Sequence, residues 1–176
     1  GMFARRMGLP VKGFVAASNA NDVVPEYLSS GNYCPRSSVR TVANAMDVGD
    51  PSNFERMMWM CDGQYDNMTD EVKGYSCNDE QILHAMKEIH DRYGYVSDPH
   101  SAVGYLATRH YGDPGFWLST AHAAKFSEIS QKAMNIVPEL PSALAVTIGK
   151  ERIFTHVSAD AAELRKILLN LSGQNL

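Results

Sequence analysis

Residues 115–126 read G-F-W-L-S-T-A-H-A-A-K-F. Phe116, Trp117 and Leu118 form an unbroken apolar run directly after the breaker Asp113, Pro114, Gly115. Such a run predicts a strand buried on both faces of a parallel sheet. Ser119 and Thr120 then place two hydroxyls at the strand's carboxyl end, and His122 and Lys125 follow before a helical pattern begins. In open α/β sheets ligands bind in the crevice outside the carboxyl ends of the strands. Spacing by itself favours a purely structural reading, a buried strand followed by a capped helix; the chemistry of the side chains adds a ligand site to it.

Working outward, Val11–Ala17 (V-K-G-F-V-A-A) reads as a second strand and also ends in short polar side chains, Ser18, Asn19, Asn21 and Asp22. Asp22 or Asn21 caps a short helix through Tyr27 and Leu28 that Gly31 stops. Capping accounts for one of these residues and leaves the others to be explained. Strands separated by helices predict an α/β fold: a partial three-layer unit with a mostly parallel sheet flanked by helices. With two strands in view, part of the sheet edge is expected to be bare, and the chain to self-associate through it.

The helices announce themselves at their ends. Asp50 with Pro51 predicts a helix start, and Phe54, Met57, Met58 and Cys61 fall at core-facing spacing. Asn78, Asp79, Glu80, Gln81 is a variant capping box, followed by Ile82, Met86, Ile89 and Tyr93 on one face and by Gly94 as a stop. Asp98 before Pro99 caps another helix, whose small Ala102, Gly104 and Ala107 predict a close approach by some neighbour. Ser127–Met134 is a short helix, and Ser158 caps a last one carrying Leu164, Ile167, Leu168 and Leu171. Residues 63–74 are polar and read as a surface excursion. Asn44 is a carboxamide among small apolar neighbours, in need of partners if buried.

The chain has 176 residues, expected to form one domain, 1–176. A net charge of -4 without a basic stripe argues against nucleic acid, and no apolar run approaches a membrane span. Cys34, Cys61 and Cys77 form no C-x-x-C, so free thiols in a reducing cytoplasm are expected. Residues 2–8 read as the last turns of a helix, which points to sequence removed upstream. No G-x-S-x-G, phosphate-loop, H-E-x-x-H or G-x-G-x-x-G motif occurs, and the histidines form no metal-ligand pattern. No metal site and no complete catalytic constellation is expected in the chain.

Four blocks carry a resemblance. A-A-S-N-A-N-D-V-V-P at 16–25, N-A-M-D-V-G-D-P-S-N-F-E-R at 44–56, S-D-P-H-S-A-V-G-Y at 97–105 and S-T-A-H-A-A-K-F at 119–126 resemble threonine synthase, in that family's order and approximate spacing. The closing A-E-L-R-K-I-L at 162–168 resembles its carboxyl terminus. The resemblance implies a pyridoxal-phosphate enzyme of the tryptophan-synthase-β type (fold type II), converting O-phosphohomoserine and water to threonine and phosphate. It covers the carboxyl-terminal portion alone. The family's cofactor-bearing lysine lies in an H-G-P-T-x-x-F-K-D context that none of Lys12, Lys73, Lys87, Lys125, Lys132, Lys150 or Lys166 has.

Carried over residue by residue, Thr120 matches the family's hydroxyl at the cofactor's pyridine nitrogen. A hydroxyl there cannot hold a proton on the ring as a carboxylate would, and so moderates the electron sink. Asn44 and Ala43 match a segment lining the cofactor face, and Asp98 matches the acidic start of a helix behind the ring. Ala123 stands where the family often has proline and Glu26 where it often has arginine. Two other functions fit the same blocks: a phospholyase acting on a related phosphoamino acid, and a non-catalytic interaction module derived from such an enzyme. The chain alone is expected to be inactive, and Asn44, Thr120 and Asp98 are expected around one cleft.

Overall fold

The computed structural model describes residues 1–172. They fall into two compact units: residues 1–139, and a second unit from Leu140 onward. The first is built on two parallel strands, β1 (Phe14–Ser18) and β2 (Val72–Ser76), in register from Phe14 opposite Val72 to Ser18 opposite Ser76. A short α1 (Met2–Arg6) precedes β1. Between the strands run α2 (Val23–Ser30), a 3₁₀ turn at Asn44–Met46, α3 (Phe54–Met60) and α4 (Tyr65–Glu71). After β2 come α5 (Asp79–Tyr93), α6 (Pro99–Tyr111), a 3₁₀ turn at Ala123–Phe126 and α7 (Ser127–Met134).

Alternation along β1 and β2 sorts the core into two clusters on opposite faces of the sheet. Phe14, Ala16 and Val72 pack with Tyr27, Leu28, Phe54, Cys61 and Met68. Ala17 and Tyr75 pack with Cys77, Ile82, Met86, Ile89, Ala102, Val103 and Ala43. This is the expected α/β arrangement, helices on both faces of a small parallel sheet. Gly74 is glycine for a reason of space: a Cβ there would stand 2.8 Å from the Cα of Pro25 in α2.

Several helix ends follow the local signals, but neither Asp22 nor Asn21 caps α2 with its side chain: Asp22 pairs with Arg36 and Asn21 bonds to Asn19 and Val39. Asn78 accepts from Gln81 N while Gln81 Oε1 accepts from Asn78 N, a complete capping box. Gly31, Gly94 and Gly112 end α2, α5 and α6 in the left-handed conformation. Ile82, Met86 and Ile89 are buried as expected; Tyr93, at the frayed end of the stripe, is 63% exposed.

Several expectations need correction. Residues 116–120 form neither strand nor helix. The segment lies along α6, where among the described residues no neighbouring strand offers backbone partners. Trp117 turns toward α6, while Phe116 and Leu118 are each 74% exposed. The first strand begins at Phe14, because the backbone pairs with β2 from there on. Residues 63–74 are no surface excursion. They form α4 and the start of β2, buried through Met68 and Val72. The helix expected from Pro51 begins at Phe54.

The second unit holds α8 (Ser142–Ala145) and α9 (Ala161–Ser172). Asp160 Oδ1 accepts from Ala162 N at the start of α9 (2.9 Å), a role expected of Ser158, whose hydroxyl instead donates to Glu163. Ile153 and Phe154 are exposed. Among the described residues no helix is long and apolar enough to cross a membrane.

Candidate functional site

The turn at Asn44–Met46 is held from two sides. On the first, Asn19 directly follows β1 and is fully buried. Its Nδ2 lies 2.7 Å from Thr41 Oγ1, 2.8 Å from Asp47 Oδ1 and 3.1 Å from the Ala43 carbonyl. Asn21 N donates to Asn19 Oδ1 (2.9 Å), and Val39 N donates to Asn21 Oδ1 (2.7 Å). Thr41 closes the set, its N–H donating to Asp47 Oδ2 (3.0 Å) and its hydroxyl to Asp47 Oδ1 (2.7 Å). Ala43 N in turn donates to Thr41 Oγ1 (3.1 Å). Asn19 and Asn21, two of the polar residues after β1, are thus partners of a buried loop, as buried amides must be, while Asp22 pairs with Arg36.

On the second side Ala45 N donates to His100 Nε2 (3.1 Å). His100 Nδ1 lies 2.9 Å from Asp98 Oδ1, and the ring of Phe126 packs at 4.6 Å between centroids. Asp98 is almost fully buried and caps α6. Its Oδ1 accepts from His100 N (2.9 Å) and Ser101 N (3.3 Å), and its Oδ2 from the Ser101 hydroxyl. Burial would raise its pKa, but the bonds from His100 and Ser101 outweigh burial and hold it below the ordinary carboxylate value. The Ser101 and Ser119 hydroxyls are 3.0 Å apart, and Tyr95 OH lies 3.3 Å from Ser119.

One hydrogen-bonded frame therefore joins the Ala43–Asn44 turn, the start of α6 and the segment ending at Thr120. Of the residues singled out from sequence, Asp98 and Ala43 are buried members of this frame. Asn44 and Thr120 are exposed, each next to a member. Asn44 needs no buried partner, because its side chain faces out while both neighbours are tied down. Exposed polar groups on a fixed backbone suit an arriving polar ring, and buried Ala43 adds no bulk beside it. Sequence reasoning missed Thr41, Asp47 and His100. His100 carried one usable signal: it stands two positions past a helix-capping aspartate.

Two other features bear on chemistry. An open concavity of about 280 Å³ lies at the carboxyl ends of β1 and β2, lined by Ala20, Asp22, Ser76, Cys77, Asn78 and Gln81. It occupies the usual α/β crevice but is lined by none of the four residues above. Lys12, Lys73, Lys87, Lys125, Lys132, Lys150 and Lys166 are all exposed.

Residues 101–168 match the family model described as threonine synthase, C-terminal. The chain is 38% identical to a threonine synthase of Serratia marcescens over 97% of its own length and 40% of the relative's. Its fold superposes on the crystal structure of threonine synthase from Escherichia coli with a TM-score of 0.79 and 36% identity, covering 97% of this chain and 40% of that one. A PLP-bound threonine synthase from Brucella melitensis superposes equally well, at 0.79 with 25% identity, covering 96% of this chain and 43% of that one. The chain spans about 40% of the length of the curated relatives it matches.

Proposed function

We propose that the chain, residues 1–176, is the carboxyl-terminal region of a threonine synthase. That enzyme would be a cytoplasmic, fold type II, pyridoxal-phosphate-dependent lyase of threonine biosynthesis, converting O-phosphohomoserine and water to threonine and phosphate. The observation that carries this reading is a coincidence of two kinds of evidence. The similarity runs through 97% of the chain, and the residues matched to the cofactor site are members of one hydrogen-bonded frame (Ala43, Asp98) or stand next to one in sequence (Asn44, Thr120).

When bound, the cofactor supplies an electron sink for carbanionic chemistry. Thr120 would present its hydroxyl to the ring nitrogen, Asn44 would line the ring's face, and Ala43 would leave room for it. Asp98 would hold this wall from behind, as a buried and ionised anchor that does not touch the ring. The exposure of Asn44 and Thr120 on a backbone fixed by buried Ala43 and Asp98 supports a site completed by sequence outside this chain. The exposure of every lysine supports a chain that is inert alone, because an amine-based nucleophile needs desolvation or neighbouring charge to act at neutral pH.

The test is an assay of the protein expressed from the complete reading frame. It is supplied with pyridoxal phosphate and O-phosphohomoserine, and threonine and phosphate are measured. Threonine and phosphate in equal amounts support the reading. Phosphate with a keto acid and no threonine replaces it with a phospholyase, and no release of either overturns both.

A further inference from the structure

We infer that His100 is a positioning residue, locked by Asp98 in the tautomer with its proton on Nδ1, and that this lock ties the Asn44 turn to the Thr120 segment. The inference rests on the reading above for what Asn44 and Thr120 do, but its geometry stands independently. A backbone N–H can only donate, so the Ala45 bond requires His100 Nε2 to be bare. The ring's remaining proton is then on Nδ1, where it points at Asp98 Oδ1, 2.9 Å away. The other contacts of the Asp98 carboxylate among the described residues are N–H and O–H groups of His100 and Ser101.

The same reasoning orders the hydroxyls. Ser101 has one proton and gives it to the Asp98 carboxylate, the stronger acceptor. It therefore receives from Ser119, which in turn receives from Tyr95. Every proton in the chain from Tyr95 through Ser119 and Ser101, and from Ala45 through His100, is directed toward one carboxylate. Removing any link leaves a donor or acceptor without its partner at a site whose neighbours carry Asn44 or Thr120.

The experiment uses the 176-residue chain with ¹⁵N-labelled histidine. Long-range ¹H–¹⁵N spectra at neutral pH are expected to show a bare Nε2 and a protonated Nδ1 for His100; the opposite tautomer overturns the lock. In His100→Asn, which keeps the donor toward Asp98 but cannot reach Ala45, the Ala45 amide is expected to exchange about tenfold faster. His100→Gln, whose amide oxygen can stand in for Nε2, is expected to restore the protection; equal exchange in both variants overturns it. Ser119→Ala, at an exposed position, guards against simple unfolding and is expected to shift amide signals at Ala45 as well as at Thr120. A shift confined to Thr120 overturns the coupling through Asp98. None of these readings involves cofactor or turnover, so a failure here leaves the threonine synthase assay untouched, and the converse holds.

Discussion

A methyl group placed at Gly104 would stand 2.8 Å from the Cβ of Trp117. Glycine is otherwise a poor choice in the middle of α6, where alanine would favour the helix by roughly 1 kcal/mol. The absent side chain lets the 116–118 segment lie against the helix, with the Trp117 ring edge-on to Tyr105 at 5.7 Å. That contact fixes the distance between α6 and the backbone leading to Thr120.

Gly104→Ala therefore sets a helix gain against a forced displacement. Trp117 Cβ sits next to backbone and cannot swing away as a flexible side-chain end would. The displacement is expected to win, for a net loss of roughly 1 kcal/mol. Urea denaturation measures the loss. Trp117 fluorescence, in a Trp59→Phe background, is expected to move to longer wavelength. Increased stability with an unchanged spectrum would show that the segment yields freely.

Asp98 gives a pH dependence with a definite sign. Its folded pKa lies below the ordinary value of 3.8, so its stabilising contribution is complete above that value. It is lost as pH falls through the lower folded value. Asp98→Asn is expected to cost about 2 kcal/mol near neutral pH, through the lost cap and charged hydrogen bonds. The cost should shrink as both proteins are taken well below pH 3.8. Parallel urea titrations at neutral and acid pH make the comparison, and a cost independent of pH would mean that the carboxylate's charge plays no part.

What could be read from the sequence was what local chemistry decides. Asn78 with Gln81, Asp98 with Pro99, and the glycines at 31, 94 and 112 all act within a turn of themselves, so their signals survive without tertiary context. β2 was not legible. Val72-Lys73-Gly74-Tyr75-Ser76 has a glycine and two polar residues, and it is a strand because β1 pairs with it and Pro25 packs on Gly74. The opposite error occurred at Phe116–Leu118, where apolar character predicts a strand and no partner strand lies alongside. Asn44 and Thr120 stood out as polar residues without an evident local duty, and Asp98 as a helix cap. The frame joining them was hidden, because Ala45 and His100 meet across 55 positions and nothing in either segment names the other.

The cysteines should divide by burial. Burial, with a smaller contribution from Asp79, pushes the Cys77 thiol up to about 12, and burial raises Cys61 as well; Cys34 is exposed. A disulfide-exchange reagent at pH 8 is expected to titrate Cys34 rapidly, and Cys61 and Cys77 only as the protein unfolds, since the thiolate is the reacting species. For Cys77 the folded state favours the protonated form. Its contribution is therefore complete below the ordinary thiol value of 9.0 and is lost as pH rises toward about 12. Rapid reaction of more than one thiol per folded chain would contradict this placement.

Each strand of the β1–β2 sheet has one edge without a strand partner among the described residues, and Val15 is exposed beside that of β1. We propose that the isolated chain associates with itself through this edge, and sedimentation velocity should show a concentration-dependent increase in mass. Val15→Lys, a charge on the edge, is expected to reduce it. Association unchanged by that substitution would place the contact elsewhere.

The last prediction concerns pyridoxal phosphate itself. Its aldehyde reacts slowly with any unprotonated amine, and an enzyme concentrates the reaction at one lysine by desolvating it or placing charge beside it. In this chain every lysine is exposed. Lys73 is held near Asp113 and over the Tyr111 ring, and Lys87 pairs with Asp91 at 2.7 Å. Lys125, the lysine nearest in sequence to Thr120, sits on the exposed side of the Ala123–Phe126 turn. Incubation with pyridoxal phosphate, borohydride reduction and peptide mapping are therefore expected to give scattered, substoichiometric labelling. The same treatment of the protein from the complete reading frame should label one lysine stoichiometrically, and that lysine should lie outside these 176 residues. Stoichiometric labelling of a single lysine within this chain, accompanied by phosphate release from O-phosphohomoserine, would place the reacting amine here and refute the inert reading.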